Sequence, residues 1–313
     1  MKNWKQSTFF GIVVIIVLVF TACSPEPKPE HTHEWKWVVT TPATIETVGL
    51  ETETCSICGK INGTRLIPKL PITSMEDLST YLNSQSGIND IENPIPLLIA
   101  ISLGSMTEET SGWHELLTVI NNINKFVTLD LSTCTMDGVV FKPDFNFQTG
   151  KDKIVGIILP NVAESTEGGS FIGCAFRGFT NLKSFSAASL TSISRGAFES
   201  CPLTNVILPE GLIAINDYAF QECPLTEIIL PSSLSSIGLG AFIYCSNLKT
   251  VTCLATIPPT LEGRYVFYDG INLTENFWAT PTSIKVPSGS VEAYKSAWNS
   301  EQNEYADLIV ALQ

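Results

Sequence analysis

Apolar residues recur at a fixed interval between residues 126 and 270, and this is the strongest pattern in the chain. Each unit opens with a stretch in which apolar and other residues alternate, and a proline closes it, as in Leu203, Val206, Leu208 and Pro209. Such alternation predicts a short half-buried strand, and proline ends the strand because it has no N–H to donate. An Ala-Phe pair follows each stretch and recurs every 22 residues, at Phe176, Phe198, Phe220 and Phe242.

One 22-residue unit cannot enclose its own apolar side, so the units are expected to stack. We predict a solenoid with a parallel ladder of strands on one face and the phenylalanines in single file inside. Cysteine also recurs in register, at Cys201, Cys223 and Cys245. A column of metal ligands and disulfides between coils are the functional interpretations of these cysteines. We favour structural thiols, because a lone buried thiol behaves as a small hydrophobic residue.

The repeat pattern N-L-x-x-h-x-h-P-x-x-L-x-x-I-x-x-x-A-F-x-x-C, where h is hydrophobic, resembles the short leucine-rich repeat of the BspA-like bacterial surface proteins. The resemblance covers residues 126–270, and residues 284–298 resemble the closing segment of that family. Degenerate copies at both ends bring the expected number of strands to about seven. The resemblance implies an α/β repeat fold, a leucine-rich-repeat solenoid, and a cell-surface role in attachment to a host or to partner proteins.

A solenoid needs a cap at each end, because its last coils would otherwise expose apolar core. Residues 69–125 are predicted to form an α/β cap, with a helix after the capping sequence SMED at 74–77, a buried strand within residues 96–103 and a second helix. The apolar face of the second helix begins at Trp113, and His114 beside it is predicted to be solvated. Residues 271–313 are expected to form the C-terminal cap, with short helices over residues 291–298 and 305–312.

The first 22 residues have the form of a lipoprotein signal peptide. Lys2 and Lys5 precede an apolar run over residues 9–20, which is shorter than the roughly 20 residues of a membrane span. The Thr-Ala-Cys sequence that ends at Cys23 resembles a bacterial lipobox, which implies that Cys23 carries the lipid; an uncleaved anchor helix is the alternative. Residues 23–30 alternate proline with charge and predict an extended tether. We expect a lipid-anchored protein of the cell envelope, at the outer membrane or cell surface.

Residues 31–68 are predicted to form a small β module that holds most of the candidate chemistry of the chain. The sequence Cys55-x-x-Cys58-Gly has zinc-knuckle form, and His31 and His33 would complete a tetrahedral zinc site. Similar small repeats in bacterial surface proteins carry a further cysteine where Ile45 stands, which weakens the metal interpretation. A disulfide between Cys55 and Cys58 and a pair of free structural thiols are the two alternatives.

Composition favours a binding protein over an enzyme or a nucleic-acid-binding protein. The formal net charge is −13, whereas binding to phosphate needs clustered Lys and Arg. The chain has three histidines and contains no G-x-S-x-G, H-E-x-x-H or phosphate-binding glycine motif. We therefore predict no catalytic residue and no cofactor other than the zinc ion considered above.

The strand face of the solenoid is the predicted binding surface, because alternate residues of each strand point outward. Ile158, Ile207 and Ile229 occupy the same place in different coils and are predicted to form an exposed apolar row, a feature that often marks an interface. The candidate ligand-binding residues are Ile158, Asn205, Ile207, Glu227, Ile229, Thr250 and Thr252. The expected partner is a protein, with a host matrix protein as one candidate. An architectural envelope protein with no dedicated ligand is the alternative.

Overall fold

The computed structural model describes residues 32–144, 146–168, 174–268, 281–300 and 303–312. These residues fall into two units, one made of residues 32–42 and 49–67, the other of residues 43–48 and 68–312. The predicted signal peptide and tether, with Cys23, and the candidate ligand His31 lie outside the described residues. Among the described residues, no helix has both the length and the apolar character needed to cross a membrane.

The first unit is a three-stranded antiparallel sheet, as the sequence predicts for a small β module. Strand β1 (Trp35–Thr41) pairs with β2 (Gly49–Cys55), which pairs in turn with β3 (Ile61–Ile67). A tight turn joins β2 to β3, in which the Gly59 N–H donates to the Cys55 carbonyl at 2.9 Å. Gly59 has φ +74°, a left-handed conformation that glycine adopts without steric cost.

The second unit begins with two helices and a strand, α1 (Met75–Ser84), β4 (Ile95–Leu98) and α2 (Gly112–Ile123). The predicted capping sequence forms the start of α1, because the Ser74 hydroxyl accepts from the Asp77 N–H at 3.0 Å. Helix α2 buries the predicted apolar face, with Trp113 fully enclosed. These elements cover the first coil of the solenoid and confirm the α/β character of the predicted cap.

Nine strands of the described residues form the strand face, in two parallel sheets. The first sheet contains β4 followed by β5 (Val127–Asp130), β7 (Ile154–Ile158), β9 (Ser184–Ser186) and β11 (Asn205–Ile207). The second contains β13 (Glu227–Leu230), β15 (Thr250–Cys253), β17 (Ser283–Val286) and β20 (Ile309–Ala311). The seven strands predicted from the repeats are present, and β4 and β20 extend the ladder at its two ends.

A further parallel sheet lines another side of the coils, and the sequence pattern does not predict it. Each of its six strands has two residues, which is too short for alternation to be recognised in a sequence. The strands are β6 (Val140–Phe141), β8 (Ser165–Thr166), β10 (Ser192–Ile193), β12 (Ala214–Ile215), β14 (Ser236–Ile237) and β16 (Thr260–Leu261).

The phenylalanines of the Ala-Phe pairs stack in single file inside the solenoid, which confirms the prediction. The rings of Phe198 and Phe220 are nearly parallel with centroids 5.1 Å apart, and those of Phe220 and Phe242 are 5.2 Å apart. Phe176 and Phe267 continue the column at 4.3 Å and 5.4 Å from their neighbours. All of these rings are buried, so the column is the apolar axis of the fold.

The recurring cysteines support the turns of the coils. The thiol of Cys223 donates to the carbonyl of Phe198 at 3.1 Å, and the thiol of Cys245 donates to the carbonyl of Phe220 at 3.0 Å. Cys201 makes the same bond one coil earlier, at 3.5 Å to the Phe176 carbonyl. Burial raises the pKa of Cys223 well above its usual value, so the thiol keeps its proton and suits a structural role.

The C-terminal cap differs in part from its prediction. Helix α3 (Val291–Ala297) forms as expected and precedes a hairpin of β18 (Asn299–Ser300) and β19 (Asn303–Glu304). The helix predicted over residues 305–312 is wrong, because these residues form a short 3-10 turn and then β20, which pairs in parallel with β17. The apolar run in this segment is compatible with a helix or a strand. The strand forms because its pairing with β17 covers the open edge of the sheet.

His114 is the second correction, because it is buried and not solvated. Its ring stacks on Phe147 with centroids 4.0 Å apart, so a loop after β6 covers the side of α2 that the helix pattern predicts to be exposed to water. This burial lowers the pKa of His114 and favours the neutral imidazole.

Candidate functional site

The outward side chains of β4, β5, β7, β9 and β11 form the floor of a groove of about 600 Å³. The walls come from two segments of the same unit that lie outside the repeats, residues 43–48 and residues 68–72, together with Tyr81 of α1. The groove thus occupies the first sheet of the strand face, where the end cap adjoins the coils.

Small residues give the groove its depth. Gly156 of β7 pairs with Ser184 of β9 and with Thr128 of β5, in the middle of the floor. A methyl group placed on Gly156 would lie 2.3 Å from the Ser184 hydroxyl and 3.1 Å from a Thr128 methyl carbon. A side chain at this position would therefore displace the Ser184 hydroxyl and fill the floor, so glycine keeps the groove deep.

The walls are mainly apolar, with a few polar groups that can orient a ligand. Ile45 and Leu70 lie on one wall, which is tied together by the Leu70 N–H donating to the Thr44 carbonyl at 2.9 Å. Partial burial and the nearby Glu46 raise the pKa of Tyr81. Lys69 and Asp130 are the charged groups among the described residues that line the groove.

A comparison with known protein families matches part of the solenoid, including three of the five floor strands, β7, β9 and β11. Residues 151–289 match the model of the BspA type leucine rich repeat region, in six copies. Residues 151–289 are therefore leucine-rich repeats of the BspA type. A comparison with curated proteins finds none that matches this chain.

Solved structures similar to the chain include three bacterial proteins. A leucine rich repeat protein of T. pallidum is 28% identical, with a TM-score of 0.34, and the match covers 43% of this chain and 60% of that protein. Pneumococcal vaccine antigen PcpA is 19% identical over 50% of this chain and 41% of its own, with a TM-score of 0.35. A leucine rich cell surface protein of Faecalibacterium prausnitzii is 15% identical over 86% and 73%, with a TM-score of 0.28. The chain thus spans less than two thirds of the first two of these proteins.

Three of the seven candidate ligand-binding residues in the BspA-type repeats line the groove, namely Ile158, Asn205 and Ile207. The side chains of Ile158 and Ile207 are 37% and 60% exposed. Ser186 pairs with both isoleucines in the sheet register and therefore separates them. The predicted apolar row is thus interrupted, and the groove presents two isoleucines around a hydroxyl group.

The other four candidates lie on the second sheet of the BspA-type repeats and do not line the groove. Strands β11 and β13 belong to different sheets, so Ile207 and Ile229 lie on opposite sides of a break in the ladder. Ile229 is 55% exposed, nearly as much as Ile207. The residues outside the groove are Glu227, Ile229, Thr250 and Thr252.

The walls of the groove have no signature in the sequence pattern. Ile45, Lys69, Leu70 and Tyr81 lie outside the repeats, so the 22-residue period carries no signal for them. Their assembly depends on tertiary contacts, such as the Ile72 N–H donating to the Leu98 carbonyl at 2.8 Å, which ties this segment beside β4.

The candidate metal ligands of the first unit come together. The ligand atoms of His33, Cys55 and Cys58 all lie within 4.8 Å of one another. His33 Nδ1 and Cys58 Sγ are 3.5 Å apart, which is hydrogen-bond distance for a thiol. The fourth candidate, His31, lies outside the described residues, so its participation stays a prediction.

Proposed function

We propose that this chain is a lipid-anchored cell-surface protein that binds a partner protein through the groove on the strand face of its BspA-type repeats. The observation that carries the proposal is the groove itself, which combines exposed isoleucines with hydroxyl and amide groups on a rigid floor. Exposed apolar groups in a concave surface, with a few polar groups to orient the ligand, are typical of a binding site.

The shape of the groove suits a protruding loop or an extended segment of a partner protein. The parallel strands hold the outward side chains at fixed spacing, so this surface is expected to change little in conformation when a partner binds. Ile158 and Ile207 would contact apolar side chains of the partner, while Ser186 and Asn205 would hydrogen-bond to its backbone.

The chemistry of the groove favours binding over catalysis. Among the described residues that line it, Asp130 is the one carboxylate and Lys69 the one amine, with no histidine or cysteine. Asp130 is already engaged, because its carboxylate accepts from the Ser132 N–H at 3.0 Å. The described lining residues thus include no histidine that could activate one of the serine hydroxyls, and this favours binding.

Cells with and without the gene provide the test of adhesion. We expect cells that carry the protein to bind at least one purified host matrix protein, and cells without the gene to lose that binding. Equal binding by both kinds of cell would refute adhesion and favour the architectural alternative.

The position of the binding site is tested with a pair of matched variants. Ile207→Lys places a charge in the groove, whereas Ile229→Lys places the same charge at the equivalent position of the next coil, outside the groove. We expect the first variant to abolish binding of the matrix protein and the second to retain it. Loss of binding in both variants would extend the site over the whole strand face, and retention in both would exclude the groove.

A further inference from the structure

Three metal-binding side chains meet at one corner of the three-stranded sheet of the first unit. His33 precedes β1, Cys55 is the last residue of β2, and Cys58 lies in the turn that leads to β3. Residues Trp35 and Cys55 are paired across β1 and β2, which brings the start of one strand beside the end of the other. The Ser56 N–H also donates to the Glu34 carbonyl at 2.9 Å, so the sheet register fixes this corner.

The spacing of these side chains matches tetrahedral zinc. Zinc binds sulfur at about 2.3 Å and nitrogen at about 2.0–2.1 Å, so two such ligands at the tetrahedral angle lie about 3.6 Å apart. His33 Nδ1 and Cys58 Sγ are 3.5 Å apart, and the largest separation within the set of three is no more than 4.8 Å. A zinc ion fits between the three ligand atoms with only small side-chain movements.

We propose that His33, Cys55 and Cys58 bind a zinc ion that stabilises the three-stranded sheet. Two thiolates neutralise the charge of Zn²⁺, and imidazole and thiolate are the ligand types that zinc prefers. The three residues provide three ligands, and the fourth position of the tetrahedron remains for a ligand outside this set. Cys55 is buried and the other two are half-buried, so the site is supported by the sheet yet open to metal entry.

The sheet itself shows why a metal is needed. All residues of β1 after Trp35 are exposed, and β3 has no buried residue. Cys55 is the one fully buried hydrophobic residue among the described residues of this unit, and it is itself a zinc ligand in the proposal. A three-stranded sheet with so little buried apolar surface is marginal by itself, and small domains of this kind commonly depend on a metal or a disulfide.

The position of His33 favours zinc over a Cys55–Cys58 disulfide. A disulfide would use both sulfur atoms and would not need an imidazole beside them. In the structure the imidazole is oriented by stacking on Trp35, with ring centroids 4.8 Å apart, and directs Nδ1 at the Cys58 sulfur. An oriented imidazole beside two thiols is typical of a metal site.

Cobalt substitution tests the proposal on the full chain, purified in detergent, reduced and stripped of metal. We expect one equivalent of Co²⁺ to give the intense visible bands of tetrahedral cobalt and a thiolate-to-cobalt charge-transfer band, and zinc to abolish both. Cys58→Ser and His33→Ala should each weaken cobalt binding by more than about tenfold, since even outer-shell changes cost that much. Cys134→Ser, at a buried cysteine of the second unit, is the matched control and should bind cobalt normally.

A second measurement does not depend on variants that could disturb the sheet. In the reduced wild-type chain, zinc should slow the alkylation of Cys55 and Cys58 and leave that of Cys174 and Cys134 unchanged, as read from peptide masses. Absence of a thiolate–cobalt band, cobalt binding by Cys58→Ser as tight as that of the wild type, or alkylation rates that zinc does not change would each overturn the proposal.

Discussion

Truncation of one ring in the phenylalanine column is expected to destabilise the solenoid strongly. Phe220 is fully buried and stacks on Phe198 and Phe242 on its two sides, at 5.1 Å and 5.2 Å. Replacing a buried phenylalanine by alanine costs about 3–5 kcal/mol, because the lost transfer free energy adds to that of the cavity. The two stacking contacts account for about 0.5–1.5 kcal/mol each within that total. We therefore expect Phe220→Ala to lower the free energy of unfolding by about 4 kcal/mol.

Urea unfolding followed by circular dichroism measures this loss. Two control variants show whether the loss of stability is specific to the stacked ring or follows from any substitution in the solenoid. Phe220→Leu keeps most of the volume but loses both stacking contacts, so it should cost about 1–3 kcal/mol, less than Phe220→Ala. Ile213→Ala, at a half-exposed position of the neighbouring surface, should change stability by no more than about 0.5 kcal/mol. A loss below about 1 kcal/mol for Phe220→Ala would refute the conclusion that the stacked rings form the apolar axis of the fold.

Two further predictions concern the floor of the groove and a buried lysine. Gly156→Val should fill the floor and weaken matrix-protein binding, at a cost of about 1–3 kcal/mol in stability, because Gly156 is buried and an added Cβ already meets the Ser184 hydroxyl and a Thr128 methyl carbon; binding and urea unfolding measured on one preparation check both parts. Burial lowers the pKa of Lys151 from 10.5 to about 8, so between these values the folded chain holds fewer protons than the unfolded chain and stability rises with pH. From about pH 7 to about pH 9.5 the free energy of unfolding of the wild type should rise by about 2 kcal/mol relative to that of Lys151→Met, as measured by urea unfolding at each pH. The same pH dependence of stability in both proteins would contradict this.

The sequence predicts the repeating part of the fold because each coil depends on local, periodic features. Strand β13 alternates exposed Glu227 and Ile229 with buried Ile228 and Leu230, as its sequence indicates. The 22-residue interval of the Ala-Phe pair places every ring above the previous one, since identical coils stack in register. One periodic pattern thus specifies both the ladder of strands and the column of rings.

The features that the sequence does not predict are those that depend on long-range contacts. A run such as residues 308–312 is apolar enough for a helix or a strand, and pairing with β17 decides in favour of β20. The helix pattern alone predicts that His114 is solvated. In the structure His114 is buried, because Phe147 from a distant segment of the chain stacks on its ring. The walls of the groove are missed for the same reason, because no repeat contains them.

The candidate site shows how a regular solenoid acquires a specific surface. Ile207 and Ile229 hold the same place in successive coils and are almost equally exposed, so the repeat alone makes them equivalent. Of the two, Ile207 lines the groove, because the floor beside it carries the small residues Gly156 and Ser184 and a non-repeating wall closes one side. Binding specificity in this chain is therefore expected to reside in departures from the repeat, at small floor positions and in the capping segments. In a solenoid whose coils fix the backbone, such departures are the positions at which substitution should change the ligand without changing the fold.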